Sequence, residues 1–229
     1  MTMAGGTWAS QNKIRPGVYI RFKSNAGLTV GDRGTVTICE PLSWGPVAQV
    51  MELEAGMDMT PYTGYDITSP QNRFLQEIFK GTNRTAAPSR VLLYRPTASG
   101  SAEAKVTIGT LTATARYPGA RGNDVSVVVT ELTEPADTFT VSTVVDGSVV
   151  DQQTAKTADT LTANGWVVFS GTGALTADTG KPLTGGEDGT VQGAAYSAYL
   201  SAIEPYKFDI MIYDGADSTV QDAMAAFVK

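Results

Sequence analysis

The chain has 229 residues with 17 basic and 23 acidic side chains, which gives a formal net charge of −6. It has no histidine and one cysteine, Cys39, which excludes Ser-His-Asp and Cys-His catalysis, histidine metal sites, disulfides within the chain and thiolate clusters. Its acidic balance with scattered bases is unlike that of nucleic-acid-binding proteins, and no apolar run approaches the roughly 20 residues that span a bilayer. We therefore expect no cofactor, no metal, and no nucleic-acid or membrane partner.

Residues 1–24 are predicted to form an extended N-terminal arm that ends in one strand. Residues 1–16 are mostly small and polar, so they bury too little apolar surface to offset the entropy of ordering. After Pro16, apolar and polar side chains alternate, as in a strand with one apolar face. The candidate strand comprises Gly17, Val18, Tyr19, Ile20, Arg21, Phe22 and Lys23. It is either an edge strand in the sheet of its own domain or a strand donated to the sheet of a neighbouring subunit.

Residues 25–96 have the patterns of the first part of an α/β domain. Strands are predicted at 34–39, 46–53 and 91–94. The last of these is apolar on both faces, which is typical of a buried strand in an α/β sheet. A helix is predicted to begin after Ser69 with Pro70 in its first position and to end at Gly81.

Residues 97–189 are predicted to be a β-sandwich inserted into this domain. They are rich in Thr, Val, Gly, Ala and Asp, and they contain little helical periodicity. Strands are predicted at 105–108, 111–117, 124–132, 138–145, 148–154 and 166–169. Asp146 and Gly147 form a two-residue hairpin turn between two of them. Short antiparallel strands at regular spacing are typical of a sandwich.

Residues 190–229 return to α/β character. A helical stripe ends at Pro205, a second buried strand is predicted at 208–213, and Ser218 with Gln221 forms a capping box for a last helix. We expect the strands at 91–94 and 208–213 to share one sheet. Because no return strand follows the last helix, the predicted α/β core is incomplete.

Three groups of residues have the composition of chemical sites, but each has a simpler interpretation. Glu131, Glu134 and Asp137 could pair as glycosidase carboxylates, although acids in such a loop are usually only solvated. Cys39 ends a strand and is expected to be a small buried side chain. Trp44, Tyr62 and Tyr65 could stack on a glycan, although packing in a core or interface is more common for aromatic residues.

Two loops resemble ligand-binding motifs and fail their spacing. The segment 178–182 lacks the first glycine of a phosphate loop and has Pro182 in place of its Ser or Thr. The acids of 185–189 do not have the spacing of an EF-hand, so a turn at the domain boundary is the better interpretation. No catalytic, cofactor or metal site is predicted, and the chain is not expected to be an enzyme.

Several segments, in the same order, resemble contractile phage tail sheath proteins of Gram-positive myophages, defective prophages and tailocins. They are Ala4-Gly5-Gly6-Thr7-Trp8, Gln11-Asn12-Lys13, 15–20, Leu42-Ser43-Trp44-Gly45-Pro46, 115–119, Gly122-Asn123-Asp124, 183–186 and Asp188-Gly189. The resemblance implies a structural subunit that stacks as hexameric rings around a tail tube and contracts to drive the tube through a cell envelope. It also implies an α/β core with an inserted β domain, and donation of 17–23 to a neighbouring subunit.

The family continues well beyond the helix that ends at Lys229, and its remaining part completes the core and contacts the tube. We therefore expect the N-terminal portion of a longer protein, with a natural short form as the alternative. The expected partners are other sheath subunits and a tube protein. The expected location is a phage tail or tailocin, assembled in the bacterial cytoplasm. The alternative function is a β-sandwich that binds glycans in a tail fibre or baseplate.

Overall fold

The computed structural model describes residues 34–81 and 86–229 of the chain. Within these residues the fold is mixed: a parallel-containing sheet flanked by helices, and antiparallel sheets that form a β-sandwich. This confirms the predicted fold class. The arm at 1–24, with the candidate strand 17–23, lies outside the described residues.

Thirteen strands and four helices lie in the described part of the chain. The strands are β1 Thr35–Cys39, β2 Val50–Glu54, β3 Arg90–Tyr94, β4 Ala98–Ser99, β5 Lys105–Ile108, β6 Leu111–Ala115, β7 Val125–Glu131, β8 Phe139–Val145, β9 Ser148–Ala155, β10 Val167–Ser170, β11 Asp178–Pro182, β12 Thr190–Val191 and β13 Ile210–Ile212. The helices are α1 Thr60–Thr63, α2 Arg73–Lys80, α3 Gly193–Ile203 and α4 Ser218–Phe227. None of these helices is long and apolar enough to cross a membrane.

The α/β sheet has the strand order β13-β1-β3-β2. Strand β1 pairs in parallel with both β13 and β3, and β2 closes the other edge antiparallel to β3. The expectation that 91–94 and 208–213 share a sheet is therefore confirmed, with β1 between them. Because β3 is interior to the sheet and covered on both faces, its apolar run is buried throughout.

Helices cover both faces of this sheet. On one face, Leu75 of α2 packs with Val91 and Leu93 of β3. On the other face, Tyr199 of α3 and Met224 of α4 pack with the alternate residues of β3. The side-chain period of two along β3 sends successive residues into two separate cores, so one strand links both layers.

The β-sandwich consists of a three-stranded sheet, β10-β6-β5, and a four-stranded sheet, β11-β7-β8-β9. All pairs in both sheets are antiparallel. The inward residues of β7 and β8 alternate with more exposed ones, and the inward set forms one buried cluster between the sheets. Asp146 and Gly147 both have positive φ, at 50° and 76°, which confirms the predicted hairpin turn.

A two-stranded ribbon marks the place where the chain passes between the α/β sheet and the sandwich. Strand β4 carries the chain out and β12 brings it back, and the two pair antiparallel through Thr190 with Ser99 and Val191 with Ala98. We call this ribbon the neck. It places the two crossing segments side by side.

Several predicted strands differ from the observed ones at their ends. The strand predicted at 46–53 begins only at Val50, because Ala48 has a positive φ of 56° and donates its N–H to the carbonyl of Arg95. The strand predicted at 111–117 ends at Ala115. Strand β11 was not expected, because Gly180 and Pro182 indicate a loop, yet it pairs with β7 through an irregular register.

Two details of the C-terminal segment were predicted wrongly. The strand at 208–213 was expected to be buried, but β13 is an edge strand and Ile210 is 54% exposed. The last helix is capped by Asp217, whose carboxylate accepts from the Thr219 N–H at 2.8 Å, and not by Ser218.

The cap predicted at Ser69 also differs from the structure. Ser69 precedes a 3-10 turn at Pro70–Asn72 that leads into α2, and its side chain makes no capping bond.

Candidate functional site

A set of long-range polar contacts lies near the neck, where loops of the α/β sheet meet loops of the sandwich. We call this region the junction. It consists of residues 42–46, 62–65, 95, 117–124, 146, 166 and 186–189. A groove of about 260 Å³ runs beside it, lined by residues from both sides that include Leu42, Arg95 and Asp188.

Arg121 lies at the centre of the junction and is 4% exposed. The 3-10 turn Ala120–Asp124 between β6 and β7 positions it. Its guanidinium is bidentate to Asp146 in the β8–β9 hairpin, with one N–H···O distance of 2.9 Å, and it also reaches Asp124 at 3.0 Å. Its Nε–H donates at 3.0 Å to the carbonyl of Gly64, which belongs to the α/β part. One side chain therefore links two sandwich loops to the α/β part.

Aromatic rings enclose this guanidinium. Its central carbon lies 4.2 Å from the centroid of the Tyr65 ring and 5.5 Å from that of Trp166. Cation–π contacts of this kind strengthen when water is excluded, as it is around a buried arginine.

Trp44 connects the α/β part to the core of the sandwich. It lies in the loop after β1, is 1% exposed, and belongs to the buried cluster of the sandwich. Its ring centroid is 4.8 Å from that of Trp166 and 5.4 Å from that of Tyr117. Packing, the simpler of the two interpretations of Trp44, is confirmed, and the ring is not available to stack on a glycan.

Arg95 is a second buried cation at the junction. It follows β3, is 3% exposed, and donates at 2.7 Å both to the carbonyl of Gly45 and to that of Pro118. Burial lowers the pKa of Arg95 to about 10, so the side chain remains charged at neutral pH. Two carbonyl groups, one from each part of the molecule, thus share one cation.

Asp188 and Asn123 hold the other side of the neck. The Asp188 carboxylate accepts from the Ala120 N–H at 2.7 Å and from the Ser43 hydroxyl at 3.0 Å. The Asn123 amide both donates to the Gly186 carbonyl and accepts from the Gly186 N–H, each at 2.9 Å. Asn123 therefore imitates a β-bridge between two loops that have no strand at this point.

Asn123→Asp is expected to lower the free energy of unfolding by about 2 kcal/mol, because the carboxylate cannot donate to the Gly186 carbonyl and repels it. Urea unfolding followed by tryptophan fluorescence measures this change. Thr107→Val, which removes only an exposed hydroxyl contact of 3.3 Å in the sandwich, is the control and should change stability by less than about 0.5 kcal/mol. Equal effects of the two substitutions would contradict the role of Asn123.

Backbone segments approach so closely at the junction that side chains are excluded. A Cβ on Gly45 would overlap the carbonyl of Tyr62, and one on Gly119 would overlap that of Ser43. Gly45 and Gly119 also have φ values of 99° and 135°, which L-residues rarely adopt. Both the contact and the conformation therefore require glycine.

The residues singled out from the sequence fall in different places. Cys39 is buried as expected, and its burial, together with Glu40 and Asp214, raises its pKa to about 12. Glu131, Glu134 and Asp137 are exposed. Within 34–81 and 86–229 no group of three or more Cys, Asp or Glu residues could hold a metal ion.

Sequence reasoning did not identify Arg95, Arg121 and Asp146 as junction residues. One signal for Arg121 was available in the sequence. It is a long cationic side chain within 118–123, a mostly small-residue segment that would not require one if it were only an exposed loop. Its partner Asp146 is 25 residues away and was assigned only to a turn.

Five of the sequence segments that resemble sheath proteins meet at this junction. Segment 42–46 contacts 117–119 and 188, and 122–124 contacts 186 and 121. Segments that are separate in the sequence therefore come together in one structural feature, the junction.

Comparisons with known proteins agree with this. The family model of the phage tail sheath protein beta-sandwich domain matches residues 99–188. The phage-like element PBSX protein XkdK of Bacillus subtilis is 32% identical over 99% of the chain and 52% of its own length. The sheath tail protein of Desulfitobacterium hafniense is 42% identical, with a TM-score of 0.80 over 92% of this chain and 48% of that one. The chain is therefore similar to phage tail sheath proteins, in its sandwich and along almost its whole length.

Two further matches extend over most of the chain. The uncharacterized protein YqbK of Bacillus subtilis is 33% identical over 99% of the chain and 52% of its own length. The sheath tail protein Lin1278 of Listeria innocua is 27% identical, with a TM-score of 0.74 over 87% of this chain and 44% of that one. The chain thus spans about half the length of the curated relatives and solved structures it matches.

Proposed function

We propose that this chain is a structural, non-enzymatic part of a contractile tail sheath subunit and is located in the virion tail or a tailocin particle. The observation that carries the proposal is the similarity to a sheath tail protein over 92% of the chain, because it extends through the α/β sheet as well as the sandwich. A shared sandwich alone would indicate only a shared module.

The proposed organisation has four parts. They are an arm at 1–24, the first part of an α/β core at 25–96, an inserted β-sandwich at 97–189 and the second part of the core at 190–229. The neck supports these boundaries, because β4 and β12 lie directly at the two crossings. Because the chain spans about half the length of its relatives, we propose that further sequence in a longer protein completes this core and contacts the tail tube.

The proposed activity is assembly followed by contraction. Subunits polymerise in the bacterial cytoplasm as hexameric rings stacked around a tail tube, and contraction drives the tube through the cell envelope. Their partners are other copies of the sheath protein and the tube protein. The junction supports this function, since buried cations and aromatic rings join the sandwich firmly to the α/β sheet and a moving ring needs subunits that do not deform.

Negative-stain electron microscopy of the protein expressed in its complete reading frame tests the proposal. We expect rings, or helical polymers on tail tubes. The proposal would be overturned if the protein stayed a monodisperse monomer at high concentration and did not assemble on tail tubes. The same preparation of the 229-residue chain shows whether this part alone assembles.

We propose that 17–23 is donated as a strand to a neighbouring subunit, as its alternating pattern allows. Ile20→Pro should abolish assembly because proline lacks the N–H that an added strand donates, and the circular dichroism spectrum should not change. Tyr19→Ala keeps every N–H and should assemble at near the normal yield. Electron microscopy and sedimentation measure both variants. Polymers of Ile20→Pro equal to those of the unmodified protein would contradict strand donation.

The glycan-binding alternative has no observation in its favour. Its best aromatic candidate, Trp44, is buried, and Trp166 and Tyr117 pack against it.

A further inference from the structure

Two carboxyl groups meet where neighbouring parallel strands end. Strand β1 runs into Glu40 and β13 runs towards Asp214, and the register pairs Ile38 with Ile212. Continuing that register by two residues sets Glu40 opposite Asp214. Residues two apart project to the same side of a sheet, so both side chains lie on one side at the carboxyl edge.

The Glu40 carboxyl group is incompletely satisfied. Its backbone N–H donates to the Tyr94 carbonyl at 3.0 Å, but its Oε2 is buried and accepts no hydrogen bond from residues 34–81 or 86–229. A buried acceptor without a donor is costly, and an ionised carboxylate beside it cannot donate. A proton on the Glu40 carboxyl group would make it a donor to the Asp214 carboxylate.

We propose that Glu40, when protonated, donates a hydrogen bond to the Asp214 carboxylate, and that the two side chains act as a pH-dependent clasp that fastens the edge strand β13 to β1. Below neutrality the protonated carboxyl group donates to the other carboxylate. When that proton is lost, two negative charges face each other across the strand pair and the clasp opens.

The surroundings favour this titration. Burial, and next the charge and hydrogen bond of Asp214, raise the pKa of Glu40 to about 7. Of the other groups here, Cys39 on β1 and Tyr196 on α3 both have pKa values raised to about 12, chiefly by burial, so they stay neutral through the same range. The tyrosines Tyr213 and Tyr94 also belong to this region; Tyr213 contacts the Tyr196 ring, and burial raises the pKa of Tyr94.

The direction of the pH effect follows from this shift. The raised pKa means that the folded chain keeps a proton that the unfolded chain has lost between its ordinary value of 4.5 and about 7. The stabilisation is therefore complete below 4.5, declines as pH rises and is gone above 7.

Strand β13 is well suited to respond locally. It has three residues and pairs on one side only within the described sheet. Its other end is held by Asp209, whose carboxylate accepts from the N–H groups of Gly34 at 2.7 Å and Thr35 at 3.0 Å. Loss of the clasp would leave β13 fastened at its beginning and free to open at its end.

Amide hydrogen exchange of residues 208–214 in the whole chain, corrected for the intrinsic pH dependence, tests the proposal. The opening constant of this segment should rise about tenfold between pH 5 and pH 8, less than the full shift of the Glu40 pKa allows because Asp214 is exposed to water. Glu40→Gln, whose amide donates at every pH, should abolish the dependence. Glu54→Gln, an exposed carboxyl group on β2, should keep it.

A second measurement keeps the test decisive if Glu40→Gln fails to fold. Carbon-13 NMR of the side-chain carboxyl groups should give Glu40 a titration midpoint well above 4.5, and Asp214→Asn should lower that midpoint. A Glu40 midpoint near 4.5, or exchange of 208–214 that is equally pH-dependent in Glu40→Gln, would overturn the clasp.

Discussion

Arg121→Met is expected to lower the free energy of unfolding of the chain by about 3 kcal/mol. The substitution removes the paired hydrogen bonds to Asp146, the bond to the Gly64 carbonyl and the contact with the Tyr65 ring. Methionine fills much of the same volume, so the loss arises from polar contacts and only slightly from a cavity. The figure is below the sum of separate charged hydrogen bonds because Asp146 and Asp124 have side chains 64% and 52% exposed and regain water.

Arg116→Met is the matched control for this experiment. Arg116 is also an arginine of the sandwich, but it is exposed, its side chain donates to the Asn164 carbonyl at 2.9 Å, and its guanidinium lies 5.9 Å from the Tyr117 ring centroid. We expect a change below about 1 kcal/mol. Urea unfolding measured by fluorescence compares the two variants, and similar midpoints would show that Arg121 does not hold the junction.

Acid provides a further check on Arg121. The hydrogen bond from Arg121 lowers the pKa of Asp146 below its ordinary value of 3.8. The contribution of the pair is therefore present above that value and is lost as pH falls through the lowered pKa. The difference between the unmodified chain and Arg121→Met should shrink in strong acid. A difference that stayed constant down to pH 2 would assign the effect to packing instead.

Gly119→Ala is expected to cause a loss of about 4 kcal/mol in the free energy of unfolding, or failure to fold. The new Cβ would overlap the backbone carbonyl of Ser43, which cannot rotate away as a side chain could. The φ of 135° adds conformational strain to this overlap. Thermal and urea unfolding of the purified variant measure the effect.

Gly147→Ala separates conformational strain from overlap. Gly147 also has a positive φ, 76°, but a Cβ there would meet nothing within 4 Å. The cost should be only about 1 to 2 kcal/mol, the strain of a left-handed L-residue. If both alanine variants unfolded at the same midpoint, the close approach of the two loops would not contribute to stability.

The local elements were predictable because their determinants lie within a few residues. Strand β5 has the predicted bounds of 105–108, and Asp146-Gly147 adopts the predicted turn, since alternation and turn chemistry are local properties. Strand β11 was missed for the same reason: Gly180 and Pro182 oppose a strand locally, and pairing with β7 overrides them.

The junction was not predictable because its contacts join distant residues. Arg121 meets Gly64 across 57 positions, and Asp188 meets Ser43 across 145. The periodicity of apolar residues along a segment carries no information about such a distant pair. The predicted burial of Ile210 was wrong for the same reason. A strand that is apolar on both faces does not reveal whether a neighbouring strand covers its edge.

The neck gives this fold an evolutionary freedom with one condition attached. Because β4 and β12 lie side by side, a sandwich can be lost, enlarged or exchanged between lineages without changing the strand order of the α/β sheet. The condition is set by Trp44, which the α/β part contributes to the core of the sandwich. Any replacement module must therefore offer a socket for that indole ring, which lies on neither crossing strand.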